Sequence, residues 1–245
     1  MEISVVIPAY NEEKRLLPTL QKVFAYLNNN FKSFEILVVD DGSKDGTARI
    51  VQDYAKVQSS TKLLQYPPPA ANRGKGGAVR FGVLNATADL ILFYDADGAT
   101  PIEELERLIP VIKQDGADVA IGSRAKKSED TVVEKKQYRH IIGSTFNFLV
   151  QTFFLKGIED SQCGFKLFKN SVAKELFALG KIDGFSFDVE ILYLAGKQGY
   201  KVIEIPVNWV DQEGSKVNVF VDSPKMLWQM ILIKIRDIFG AYKGH

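Results

Sequence analysis

Short apolar runs alternate with segments whose apolar residues recur every three or four positions. Residues 3–7 are an apolar run, interrupted only by Ser4, that ends at Pro8. Residues 13–27 follow with Leu16, Leu20, Val23, Phe24 and Leu27 at helical spacing. The alternation continues with a strand over 35–39, a helix over 44–57 and a strand over 62–66. A helix over 76–86, a strand over 89–94, a helix over 102–115 and a strand over 118–122 complete the first half. Strand, helix, strand at this spacing predicts parallel pairing, because a parallel pair needs a crossover and a helix supplies one. The expected class is α/β, a Rossmann-like, mostly parallel sheet flanked by helices.

The second half is less regular. Residues 126–140 are charged, lack apolar periodicity and read as a mobile loop. Residues 143–155 are apolar and aromatic, with Phe146, Phe148, Phe153 and Phe154. A helix is expected over 188–198, a strand over 201–209, and an apolar helix over 225–239 carrying Lys225, Trp228, Lys234 and Arg236. No repeat or linker divides the 245 residues, so one domain is expected.

Composition narrows the chemistry. One cysteine cannot close an internal disulfide. His140 and His245 are too few and too far apart for a histidine zinc site, so any metal must rest mainly on oxygen. A formal net charge of +1 gives no basic field and no case for nucleic acid. No charged segment leads into an apolar stretch at the start, so no signal peptide is visible. The most apolar stretch, 226–233, is far shorter than the roughly 20 residues that span a bilayer. A cytoplasmic chain is expected, with contact at a membrane surface still open.

Ligands of parallel sheets bind where strands end at the carboxyl edge. The first strand runs into Pro8-Ala9-Tyr10-Asn11-Glu12-Glu13, the second into Asp40-Asp41-Gly42-Ser43, the fourth into Asp95-Ala96-Asp97-Gly98. Asp95 and Asp97 are two apart, so in extended chain they face one way. At about 4 Å their repulsion is roughly 4 kcal/mol at an effective dielectric of 20. Mg²⁺ or Mn²⁺ resolves it, and both favour carboxylate and phosphate oxygens; a solvated turn is the plainer alternative. Asp41 is suited to accept hydrogen bonds from a base or ribose, while Ser43 and Asp45 are natural helix caps. In Asn72-Arg73-Gly74-Lys75-Gly76-Gly77-Ala78, glycines allow close approach to a phosphate, and Arg73 and Lys75 add charge. The string is neither dinucleotide fingerprint nor P-loop, so a dehydrogenase loses its main support.

These strings, with Gly122-Ser123-Arg124, resemble the inverting family-two glycosyltransferases of the GT-A fold. Asp160-Ser161-Gln162-Cys163-Gly164-Phe165-Lys166 and Trp209-x4-Gly214-Ser215-Lys216-Val217 narrow the resemblance to the polyprenyl-phosphate glycosyltransferases of the dolichyl-phosphate β-glucosyltransferase type. It covers the chain from about Ile3 to Val219 and rests on the order of the motifs. It implies a nucleotide-sugar half over 1–125, an acceptor half over 126–220 and a C-terminal amphipathic helix over 221–245. Pro8, Tyr10, Glu12 and Asp41 would hold uridine, with Arg73, Lys75 and Gly76 on the donor. Asp95, Ala96 and Asp97 would meet ribose, metal and diphosphate, Asp95 and Asp97 being the metal ligands. Arg124 would stand near donor phosphates and acceptor, Arg139 and Lys166 at the lipid phosphate, and Ser215 and Lys216 over the donor. Asp188 and Glu190 fall where related enzymes carry an acidic motif, and Asp160 and Gln162 are candidates for sugar hydroxyls or a plain turn.

The implied reaction is inverting transfer of glucose from UDP-glucose to a dolichyl or polyprenyl phosphate. A sibling enzyme using GDP-mannose or a UDP-N-acetylhexosamine is the alternative, and a non-catalytic nucleotide-sugar-binding protein a third. A phosphate monoester is mostly dianionic at neutral pH, so cations rather than a general base are the expected catalysts. The eukaryotic members carry an N-terminal membrane helix that this sequence does not display. A peripheral enzyme of prokaryotic type, on the cytoplasmic face of the membrane, is therefore expected. Packing of its apolar helices on a twin subunit, as a homo-oligomer, stays open.

Overall fold

The computed structural model describes residues 1–67, 72–134, 150–151, 154–212 and 219–242, with side chains of 219–223 left aside. Its centre is a seven-stranded sheet. The strands are β1 (Ile3–Ala9), β2 (Phe34–Asp40), β3 (Thr61–Gln65), β4 (Leu90–Tyr94), β5 (Val119–Ser123), β7 (Phe165–Lys169) and β8 (Val202–Pro206), in the order β3-β2-β1-β4-β7-β5-β8. β1 pairs in parallel with both β2 and β4, register Val5 to Ile36 and to Leu92. Buried on both faces, it reads as an apolar run, broken only by Ser4, rather than an alternation. Alternate residues still go opposite ways: Val6 joins the core beneath α3 (Lys75–Asn85), and Val5 and Ile7 join the core beneath α1 (Leu16–Asn30) and α2 (Thr47–Val57). α3 lies close on the sheet because Gly82 has no side chain; a Cβ there would stand 2.4 Å from Val6 Cγ1.

The helix expected over 102–115 begins as a 3₁₀ turn, Ile102–Glu104, and continues as α4 (Leu105–Lys113). The pairing expectation needs one correction. β7, which the periodicity does not reveal, runs antiparallel between β4 and β5. Its start therefore lies at the same edge as the end of β4, with Phe165 paired to Tyr94. Two helices follow, α5 (Asn170–Leu179) and α6 (Phe187–Lys197), of which only the second is expected from the pattern.

The loop expected over 126–140 is, where it is described, irregular over 126–132 and tied down at its end. Residues 133–134 form β6 (Val133–Glu134), paired in parallel with β9 (Trp209–Val210). Arg107 reaches Asp130 at 2.8 Å, and the Val132 amide donates to Asn208 Oδ1 at 2.8 Å. Phe146, Phe148 and Phe153 lie outside the described residues. The last helix, α7 (Val219–Ile238), buries Met226, Met230 and Ile233 and exposes Trp228, Ile231, Ile235 and Ile238.

Candidate active site

The loops after β1 and β2 are stitched together by their own polar side chains. Asn11 takes a left-handed conformation, φ 54°, which asparagine tolerates. Its amide donates to Ser43 Oγ at 2.9 Å, and its Oδ1 accepts from the Lys44 amide at 2.8 Å. The Glu12 amide donates to Thr47 Oγ1, and the Gly46 amide to Glu13 Oε2. The Glu12 carboxylate pairs with Arg15. Gly46 stands at the α2 cap, and Asp45 beside it accepts from the Thr47 amide at 3.0 Å. Asp40 accepts from the Ser43 amide and Gln65 Nε2. Pro8 is buried in β1, and Tyr10 is exposed beyond it.

Asp41 is buried, and each of its oxygens takes one backbone amide of the glycine-rich turn, Arg73 at 2.8 Å and Gly74 at 2.9 Å. Burial pushes its pKa up, the two amides pull it back, and Asp40 and Asp183 add to the rise. Its oxygens thus fasten the turn 72–74 to the end of β2. The glycines themselves serve a purpose the sequence does not disclose. At Gly76 a Cβ would stand 2.6 Å from both Ile182 O and Phe187 Cβ, and at Gly74, φ +95°, 2.6 Å from Asp183 O. The close approach they allow is to the backbone of residues 182–187, not to open space for a phosphate. Arg73 lies over the Tyr66 ring, 5.4 Å from its centroid, and Arg80 pairs with Asp183 at 2.6 Å.

Lys75 opens α3 and puts Nζ 2.8 Å from Asp95 Oδ1. Burial works against its charge, but Asp95 and Asp188 prevail and raise its pKa. Asp97, two residues on, is driven toward protonation by burial and then by Asp95, although the Ala99 amide donates to its Oδ1 at 3.1 Å. Ala96 is buried between them. A carboxylate pushed up beside another carboxylate is a donor set that fits a hard divalent cation. Among the described residues no third histidine, cysteine, aspartate or glutamate completes a cage. Such an ion would draw its remaining oxygens from a ligand.

On the far side of β4 the acids are held by cations. Asp160, buried, binds Arg124 in a fork, Nε at 2.7 Å and Nη2 at 2.8 Å, and also takes the Arg124 amide at 2.9 Å. Burial would raise its pKa, yet Arg124 pulls it to about 2. Arg124 lies over the Trp209 ring at 5.4 Å. Lys166, 2% exposed, donates to Asp188 Oδ1 at 2.5 Å and to the Cys163 carbonyl at 2.6 Å. It does not present its ammonium at the surface, as an acceptor-phosphate ligand would. Asp188 keeps a pKa above the ordinary range through burial, against the pull of Lys166 and Lys75. Glu190 is a structural strut: its oxygens accept from the Lys181 and Ile182 amides and from the Tyr242 hydroxyl. Gln162 donates its amide to Asp160 Oδ1 at 3.3 Å. Arg139, Ser215 and Lys216 lie outside the described residues.

Three contributors escape sequence reasoning. Gly164 leaves room for Asp95, since a Cβ there would lie 2.0 Å from Asp95 Oδ2. Asp183 gathers Arg73 and Arg80. Gln229 of α7 packs on Gly184, two residues before the Ser186 cap of the helix that bears Asp188. Only Gly164 leaves a trace in the sequence, as the small residue before an apolar strand.

The family model described as Glycosyl transferase family 2 matches residues 4–177. A dolichyl-phosphate beta-glucosyltransferase of Dictyostelium discoideum is 39% identical over 252 residues, 98% of this chain and 76% of that one. Its Homo sapiens counterpart is 36% identical, over 99% of this chain and 78% of that one. Among solved structures, a glucosyl-3-phosphoglycerate synthase from Mycobacterium tuberculosis in complex with Mn²⁺ and UDP-glucose superposes with TM-score 0.65 at 14% identity, over 96% of this chain and 78% of that one. A mannosyl-3-phosphoglycerate synthase from Rubrobacter xylanophilus gives TM-score 0.64 at 17% identity, covering 97% and 74%. The sheet and its helices are the GT-A arrangement.

Proposed function

The chain belongs to glycosyl transferase family 2, and from that membership we propose that it transfers glucose, with inversion, from UDP-glucose to a dolichyl or polyprenyl phosphate. The observation that carries this reading is the Asp95/Asp97 pair at the carboxyl end of β4, with Lys75 on one side, in a chain alike over nearly its whole length to glucosyltransferases of that acceptor. Asp95 and Asp97 would hold Mg²⁺ or Mn²⁺, which when bound supplies positive charge to the departing diphosphate. The turn 72–74, its Arg73 and Gly74 amides held by Asp41, sets the α3 N-terminus in place, and Lys75 there brings positive charge to the same diphosphate.

The attacking group is a phosphate oxygen, with a second pKa of about 6, so it needs no base to deprotonate it at neutral pH. What it needs is cover from the donor's negative charge. Arg124 supplies that cover, oriented by its fork on Asp160. Asp188 acts through Lys166, holding a buried cation beneath the site.

A lipid acceptor has to be met at a bilayer. No helix among the described residues is long and apolar enough to cross one. The outer stripe of α7 is suited to lie on one: Trp228 is 58% exposed, Ile238 81%, and Phe239 beyond it 83%. We therefore place the enzyme peripherally on the cytoplasmic face of a membrane. The test is to incubate the protein with labelled UDP-glucose, GDP-mannose or UDP-N-acetylglucosamine and vesicles carrying polyprenyl phosphate. Labelled lipid is expected from UDP-glucose with Mg²⁺ or Mn²⁺, and the protein is expected to float with the vesicles. Labelled lipid from another donor would reassign the sugar, and none from any donor would end the transferase reading.

A further inference from the structure

We propose that Lys75 is the resident counter-cation of Asp95, so that a divalent cation enters this site together with a diphosphate rather than ahead of it. The proposal rests on the reading of Asp95 and Asp97 as metal ligands. Asp95 is fixed from both sides. Lys75 Nζ holds Oδ1 at 2.8 Å. On the other side Gly164 yields the space that Oδ2 fills, and its carbonyl accepts the Asp95 amide at 3.0 Å. The φ of Gly164 is not positive, so room for Asp95, not backbone freedom, is what glycine supplies there.

The carboxylate pair is therefore not waiting as two bare charges. A cation arriving alone must take Asp95 from an ammonium already at hydrogen-bond distance. It gains two carboxylates and, among the described residues, no third protein ligand of the usual kinds. A cation arriving with a diphosphate brings its own oxygens. It also brings an anion for the displaced Lys75, whose flexible stem opens α3 where the turn 72–74 ends. Lys75 is then a positioning residue: it keeps Asp95 in place while the donor is absent and gives it up when the donor arrives. Phe93, whose ring centroid lies 5.4 Å from Lys75 Nζ, supports the ammonium in its resting place.

The experiment measures Mn²⁺ binding to the full chain by loss of the free-ion paramagnetic resonance signal, with and without UDP and read against the same UDP without protein, which itself binds Mn²⁺, and so reads no turnover. Wild type is expected to bind Mn²⁺ alone at least about tenfold more weakly than with UDP, the factor one charge-assisted hydrogen bond carries. Lys75→Met is expected to bind Mn²⁺ alone about tenfold more tightly than wild type, with a smaller gain from UDP. Lys75→Arg, which keeps the charge, is expected to behave like wild type, and Gly164→Ala, which displaces Asp95, to weaken Mn²⁺ in both arms. Equal affinity with and without UDP in wild type would overturn the proposal and leave the transferase reading standing. So would a Lys75→Met chain, folded by circular dichroism, that binds Mn²⁺ alone no better than wild type. No Mn²⁺ binding in any arm would remove the metal role of Asp95 and Asp97, and this proposal with it.

Discussion

Asp41 and Asp160 are both buried aspartates at the carboxyl edge of one sheet, 3% and 1% exposed, yet their acidities move in opposite directions. Asp41 is held by two backbone amides and stays above the ordinary carboxylate range. Asp160 is held by a forked arginine and falls to about 2. Amides are dipoles; two of them do not offset the desolvation of a full charge, whereas a forked guanidinium does, with the Arg124 amide and Lys166 adding to its pull. The same division separates the two sides of β4. On the β1/β2 side, Asp40 and Asp41 shape loops by gathering amides; on the β5/β7 side, Asp160 and Asp188 store and orient cations.

The comparison breaks most visibly at Asp160. Asp160→Asn removes the buried carboxylate charge that faces Arg124 and one arm of the fork. We expect a loss of about 3–5 kcal/mol in unfolding free energy, the cost of orphaning one member of a buried pair. Urea unfolding checks it; a loss under about 1 kcal/mol would place the pair among the weak surface bridges instead. Arg124→Met in the Asp160→Asn background should recover part of the loss, since the guanidinium that lost the Asp160 charge goes with it.

At Asp41 the same substitution should cost much less. Asp41→Asn leaves one amide, of Arg73 or Gly74, facing an NH₂ group, a loss of roughly 1–3 kcal/mol. It also removes a charge whose raised pKa marks it as unfavourable where it sits, which offsets part of that loss. A net cost of about 1–2 kcal/mol is expected by urea unfolding. A cost as large as that at Asp160 would mean that amides and arginine hold a buried carboxylate equally well.

The contrast also explains what was legible in the chain. Ile3–Ala9, Phe34–Asp40 and Leu90–Tyr94 announce themselves as buried parallel strands, and the acids that follow them fall at strand ends, so the edge bearing the site is readable. Which partner each acid takes is not. Asp95 finds Lys75 across a strand, and Asp188 finds Lys166 through β7, whose Phe-Lys-Leu-Phe-Lys lacks a clear period of two. Glu190 reads as part of one acidic motif with Asp188 until the fold turns it onto Lys181, Ile182 and Tyr242. The glycines of 74–77 point to a phosphate in the sequence, but two of them are small because the chain at 182–187 runs against them. Local pattern determines where the chain is buried; pairing depends on contacts between separate elements, which no local pattern carries.

The smallest expected effect, and the one that joins the two devices, is at Glu35. Its Oε1 takes the Thr87 amide and the hydroxyls of Thr87 and Ser4, while its Oε2 takes half-exposed Lys62 at 2.9 Å. Burial would raise its pKa, but these contacts together pull it below the ordinary value. Because the folded carboxyl holds its proton less tightly than the unfolded one, its stabilising share is whole above the unfolded value, about 4.3. That share is lost as pH falls through the lower folded value. Glu35→Gln keeps an oxygen for the three donors on Oε1 and loses the charge and Lys62. The expected cost at pH 7 is therefore about 1 kcal/mol. Unfolding midpoints of wild type and variant, compared from pH 7 to pH 3, should converge as the pH falls; other titrating acids cancel in the difference. A gap that stays constant with pH would mean that Glu35 stabilises by shape rather than charge. It would then belong with the dipole-held carboxylates of the β1/β2 side.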